Sequence, residues 1–95
     1  MISAEEKVKL ANRLKRISGQ VSAIERMIDG DAYCIDVLTQ VAAASGALGK
    51  VGQIMLERHI QTCVIEAMQT GTKKQRQEKL NELISVFRKF SRVSD

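Results

Sequence analysis

From Leu38 to His59 the chain keeps up an interval that one long helix satisfies. Leu38, Val41, Ser45, Leu48, Gly52, Met55 and His59 follow one another in steps of three or four, the spacing that lines up side chains on one helix face. The stripe passes through Gly46, Gly49 and Gly52 without losing register. It therefore predicts one continuous helix from about residue 31 to 70, rather than two helices joined by a turn at Gly49. Proline, which would force a break, is absent from the chain. Each glycine inside a helix costs roughly 1 kcal/mol relative to alanine. Close approach of another helix at the middle of the stripe would account for them.

Shorter helices flank this one. Ser3-Ala4-Glu5-Glu6 fits a capping box, with Ser3 as N-cap and Glu6 reaching back. Leu10, Leu14, Ile17, Val21, Ile24 and Ile28 then form a heptad-like seam. Helix one is expected over about 3–29, with Gly30 closing it in a left-handed conformation. Asp31 is the expected cap of helix two, and Gly71 its end. Thr72-Lys73-Lys74-Gln75 offers a second capping box. It opens a third helix over about 72–92, with Leu80, Leu83, Ile84, Phe87 and Phe90 on its apolar face. The expected fold is all-α: three helices with a long central one, forming a single domain over 1–95.

Length then constrains assembly. A helix of about forty residues is roughly 60 Å long, and helix one at about 26 residues spans only some 39 Å. The two shorter helices cover the stripe only if laid end to end. A second copy covers it more naturally, so an oligomer built as a helix bundle is expected. A chain of 95 residues buries a modest core, which makes such support useful.

No apolar run approaches the length that spans a membrane, and the opening MISAEEKVKL lacks the apolar core of a signal peptide. A cytoplasmic setting is expected. There, two cysteines point to metal or redox chemistry more than to a structural disulfide. The net charge is +4. Lys7, Lys9, Arg13, Lys15 and Arg16 crowd into ten residues that hold no acid, and such a patch attracts phosphate. With 3% aromatic residues, stacking on single-stranded bases is not expected.

His59 is the only histidine, and Cys63 follows four residues later. On an α-helix the two lie about 40° apart around the axis and about 6 Å apart along it, a workable pair of ligands. Alone, the pair reads more readily as packed core. With Asp31 as cap, Cys34 falls in the first turn at N3, where the helix dipole favours a thiolate. Along one straight helix Cys34 and His59 are roughly 37 Å apart, too far for one metal. But Cys34 and Cys63 are mirror positions about the Leu48–Gly49 bond. Two antiparallel copies crossing there bring Cys34 of one chain level with Cys63 of the other, with His59 one turn away. A hairpin folded at Gly49 would give the same pairing within one chain. Two thiolates and one imidazole suit trigonal Cu(I). Zinc ordinarily wants a fourth ligand, and nickel or cobalt sites with several imidazoles are hard to build from one histidine per chain.

Here a family resemblance enters. RLKRISGQVSAIERMIDGDAYCIDVLTQVAAASGAL, followed by LERHIQTCV, resembles the CsoR/RcnR family of metal-sensing repressors. The Cys34, His59, Cys63 pattern is the specific part and is similar to the copper-sensing branch. The resemblance implies Cu(I) bound across a dimer interface, with dimers pairing into a disc-like tetramer. It also implies that the metal-free protein holds double-stranded operator DNA, and that metal releases it and derepresses copper-resistance genes. Tyr33 matches the tyrosine beside the copper ligands. Glu78 is the best match for the helix-three glutamate beside them, with Glu82 the other candidate. For DNA, Arg13 and Lys50 match basic family positions and Gln20 belongs to the same GQ segment. Lys9, Lys15 and Arg16 are added on charge alone.

The nickel- and cobalt-sensing branch adds an N-terminal histidine and often one at the Cys63 position, both missing here. A persulfide-sensing branch dispenses with the metal-binding histidine, and a formaldehyde-sensing branch lacks the second cysteine. A thiol sensor using Cys34 and Cys63 is the main alternative. A plain helical adaptor is another. An enzyme is not expected: Cys34 and His59 offer a nucleophile and a base, but no orienting group or oxyanion hole accompanies them.

Overall fold

The computed structural model describes residues 2–94, and side chains from 2 to 89. Its elements are α1 (Ala4–Asp29), α2 (Cys34–His59), a π-helical turn (Ile60–Val64), α3 (Ile65–Thr70) and α4 (Lys73–Ser94). The described residues contain no strand, so the chain is all-α.

The capping box at α1 forms. Glu6 N–H donates to Ser3 Oγ at 3.1 Å, and Ser3 N–H donates to Glu6 Oε1 at 3.5 Å. Glu5 and Glu6 in the first turn complement the helix dipole.

The other end of α1 corrects the sequence reading. Gly30 is not left-handed (φ −89°, ψ 12°); Asp31 is, with φ 56°. Ala32 N–H donates to Met27 C=O and Asp31 N–H to Ile28 C=O, at 2.9 and 3.1 Å. That is a Schellman motif, with Asp31 in the place glycine usually takes. A short polar side chain makes aspartate one of the few residues to tolerate this conformation. Asp31 therefore ends α1 instead of capping α2. The carbonyl of Tyr33 accepts from Asp36 and Val37 N–H at 3.0 and 3.2 Å, and α2 begins at Cys34. Cys34 is thus the first residue of its helix, not the third.

Past this point α2 runs through Gly46 and Gly49 without a break, so the hairpin at Gly49 does not form. A Cβ built on either glycine meets nothing within 4 Å. Among the described residues, none makes the expected close approach at Gly46 or Gly49.

After His59 the helical path widens. Ile65 N–H donates to Ile60 C=O, five residues back, the signature of a π-turn. The helix resumes as α3 and stops at Gly71. Gly71 is extended (φ −80°, ψ 161°), but a Cβ there would lie 2.5 Å from Ala67 C=O. Glycine is needed for space, not for its backbone angles. The second capping box then forms: Thr72 N–H donates to Gln75 Oε1 at 2.8 Å, and Gln75 N–H to Thr72 Oγ1 at 3.2 Å.

By their contacts the residues fall into two compact units, one of Ser3–Val51 and one from Gly52 onward. In the first, Ile17 and Ala44 are buried. In the second, the π-turn and α3 pack on α4, and Val64 is buried. Among the described residues these three make up the buried apolar core. Most of the long stripe lies in water: Leu38 is 61%, Leu48 51% and Val41 44% exposed. Leu14, Val21 and Ile28 of the α1 seam are exposed as well, as are Ile84 and Phe87 of α4. Phe90 lies outside the described side chains. No described helix is long and apolar enough to cross a membrane.

Candidate metal centre

His59 is the last residue of α2, and Cys63 sits in the π-turn that follows. Both are half-buried. The i→i+5 turn keeps the two residues near one side of the helical path while carrying Cys63 toward α4. His59 Nε2 lies 3.2 Å from Glu82 Oε1 on α4. In the neutral ring with Nε2 as the donor to this carboxylate, Nδ1 keeps its lone pair for a ligand. The same Glu82 oxygen is 4.0 Å from Lys79 Nζ.

The partner of His59 is therefore Glu82, in place of the expected Glu78. The two glutamates are one turn apart on α4. Which of them is level with His59 depends on the π-turn and on the connection at Gly71. Glu78 instead lines a groove of about 530 Å³ together with Cys63, Lys79 and Glu82. Thr62 Oγ1 donates to Arg58 C=O at 2.7 Å and lies 3.6 Å from Cys63 Sγ. Its single proton goes to the closer carbonyl, which leaves Cys63 sulfur weakly engaged.

Cys34 and Tyr33 are exposed, at the start of α2. Within one chain, among the described residues, no three His, Cys, Asp or Glu side chains converge as metal ligands. Within one chain His59 and Cys63 stand four residues apart, and Cys34 is a separate exposed thiol. Soft sulfur and an oriented imidazole are the donors a soft cation takes. Nothing in IQTCV marks a π-turn in advance. The Glu82 contact is readable from sequence only as one of two alternatives.

The expected DNA residues divide. Lys9, Arg13, Lys15, Arg16 and Lys50 are exposed, and Lys9, Arg13 and Arg16 share one face of α1. Lys9 makes only a solvent-exposed pair with Glu5 at 3.6 Å. Gln20 is half-buried, and its Oε1 is buried with no hydrogen-bond partner among the described residues.

Comparison with known proteins gives consistent matches. The profile of the metal-sensitive transcriptional repressors matches residues 6–89. The chain is 41% identical over 90 residues to the copper-sensing transcriptional repressor CsoR of Bacillus subtilis, covering 95% of this chain and 86% of that one. It is also similar in structure to the copper-sensing repressor CsoR with Cu(I) from Geobacillus thermodenitrificans. The TM-score is 0.85 at 40% identity, over 96% of this chain and 94% of that one. A further solved structure, the nickel-responsive transcriptional regulator InrS, matches with a TM-score of 0.74 at 35% identity, over 90% and 92% of the two chains.

Proposed function

The chain belongs to the family of metal-sensitive transcriptional repressors, and from that premise we propose that it is a copper(I)-responsive repressor whose metal site is shared between two copies. The observation that carries this reading is the His59–Glu82 contact at 3.2 Å, by which a carboxylate holds the one histidine of the chain, four residues before Cys63. In the proposed assembly the α2 helices of two copies cross antiparallel near Leu48 and Gly49. Cys34 of one copy then completes the His59/Cys63 half-site of the other, twice per dimer. The open space at Gly46 and Gly49 and the exposed Leu38, Val41 and Leu48 supply the contact surface. Bound there, Cu(I) would supply bonds that tie the two chains together. A pair of dimers forms the DNA-binding tetramer, acting in the cytoplasm.

The residues of the chain do the rest. Glu82 fixes the ring and tautomer of His59. Because Glu82 stands on α4, the orientation of His59 and the placement of α4 within its unit are linked. Arg13, Arg16, Lys9, Lys15 and Lys50 face DNA phosphates, giving backbone and shape readout rather than a single recognition helix. Release requires that metal bind the DNA-free form more tightly than the DNA-bound form. A tenfold loss of DNA affinity needs about 1.4 kcal/mol of that difference. Copper fits the donor set better than nickel, since one histidine per chain cannot supply several imidazoles.

The deciding experiment is a Cu(I) titration of the protein bound to DNA from its own upstream region, followed by anisotropy. Stoichiometric Cu(I) is expected to release the duplex; unchanged DNA affinity would refute the copper-switch reading. The two glutamates are tested in turn. Glu82→Ala should weaken Cu(I) binding by roughly 10- to 100-fold, the usual cost of losing a ligand-orienting carboxylate. Glu78→Ala should weaken it less, as read by competition with a chromogenic Cu(I) chelator.

A further inference from the structure

The first turn of α4 breaks the charge rule for helix starts. The positive end of the helix dipole favours acids there and disfavours bases. The start of α1 obeys, with Glu5 and Glu6. The start of α4 carries Lys73 and Lys74, then Arg76, and its first turn has no acid. The capping boxes differ in the same sense. At α1 the reciprocal acceptor is the charged Glu6; at α4 it is the neutral Gln75, bonded to Thr72 N–H at 2.8 Å. The helix is capped without any negative charge being placed among the cations. Lys73, Lys74 and Arg76 are exposed, and none has an ion-pair partner among the described residues. Neither the metal centre nor the packing of α4 uses them. A local rule broken with no structural return marks a group kept for a partner.

We infer that Lys73, Lys74 and Arg76 form a second set of DNA phosphate contacts, separate from those on α1 and α2. The inference rests on the repressor reading, which makes double-stranded DNA the polyanion available. Contacts of this type are independent of base sequence and hold the protein in register on the duplex.

The test is the salt dependence of binding, using the full-length metal-free protein and a duplex from its own upstream region. Three proteins are compared: wild type, the triple variant Lys73→Ala/Lys74→Ala/Arg76→Ala, and Gln75→Glu. The triple variant is expected to bind roughly tenfold or more weakly. Its plot of log K against log salt should be shallower by about 0.9 for each phosphate no longer neutralised. Gln75→Glu should show two changes of opposite sign. An acid at that position suits the dipole and keeps the capping box, so the protein melts at a higher temperature. The same acid sits among the cations, so DNA binding weakens and the slope becomes shallower. A solvated helix start would give the first change without the second. Wild-type binding with both variants keeping the wild-type slope overturns the α4 contact and leaves the repressor reading standing. A wild type with no salt-dependent affinity for the duplex overturns both.

Discussion

Cys34→Ala is expected to lower Cu(I) affinity by several orders of magnitude while leaving the DNA affinity of the metal-free protein unchanged. Cys34 is a free, exposed thiol at the first position of α2, so its loss should change stability by no more than about 0.5 kcal/mol. In the proposed three-donor site it removes one of two thiolates, and a His/Cys pair alone holds Cu(I) far less tightly. The shared site makes a sharper demand on mixtures. Cys34→Ala chains and Cys63→Ala chains each lack a complete site as homodimers. A mixed dimer has one complete site, formed by Cys34 of the second chain with His59 and Cys63 of the first. Unfolding and refolding the two variants together should restore tight binding at a fraction of the wild-type stoichiometry. Tight wild-type binding by Cys34→Ala alone would remove Cys34 from the site.

Leu48→Glu is expected to dissociate the protein, with loss of helical signal at micromolar concentration. Leu48 is 51% exposed in the single chain, and it lies at the proposed two-fold crossing. Burying a leucine is worth about 1.5–3 kcal/mol, and the symmetry counts every loss twice. The substitution also brings two carboxylates together at the axis, in a contact that excludes water. Thr39→Glu is the control. Thr39 is exposed on the far side of α2, where a carboxylate stays in solvent. Sedimentation velocity and circular dichroism read both variants. An oligomer that survives Leu48→Glu intact would place the crossing elsewhere on the stripe.

The sequence is most informative where the physics is local. Both capping boxes involve residues three apart, and both form as their spacing indicates. The long stripe is legible for the same reason, since side-chain period needs no knowledge of the partner. Asp31 takes the left-handed place expected of Gly30 and does not cap α2, although glycine is the usual left-handed residue and aspartate the usual cap. The choice between them turns on where the chain has to reverse. Glu82 against Glu78 cannot be settled from spacing. It depends on one extra residue accommodated in the π-turn and on how Ala67 C=O crowds Gly71. Gln20 reads as a polar surface residue, and only the folded chain puts its oxygen inside. The proposal of Cys34 as third ligand comes from symmetry alone, as Cys34 mirrors Cys63, and rests on the proposed assembly of two chains.

The scarcity of buried apolar side chains in the protomer has a consequence for the life of the chain in a cell. In the proposed pairing along α2, a newly made copy has little to fold around until it meets another, and folding and pairing are one second-order event. Its melting temperature then rises with protein concentration, and dilution acts as a denaturant. The stock of repressor helps decide its own lifetime: when few copies remain, each spends longer alone and open to proteases. Chains unable to pair are cleared, while a defective chain that still pairs along α2 takes a sound one out of service with it.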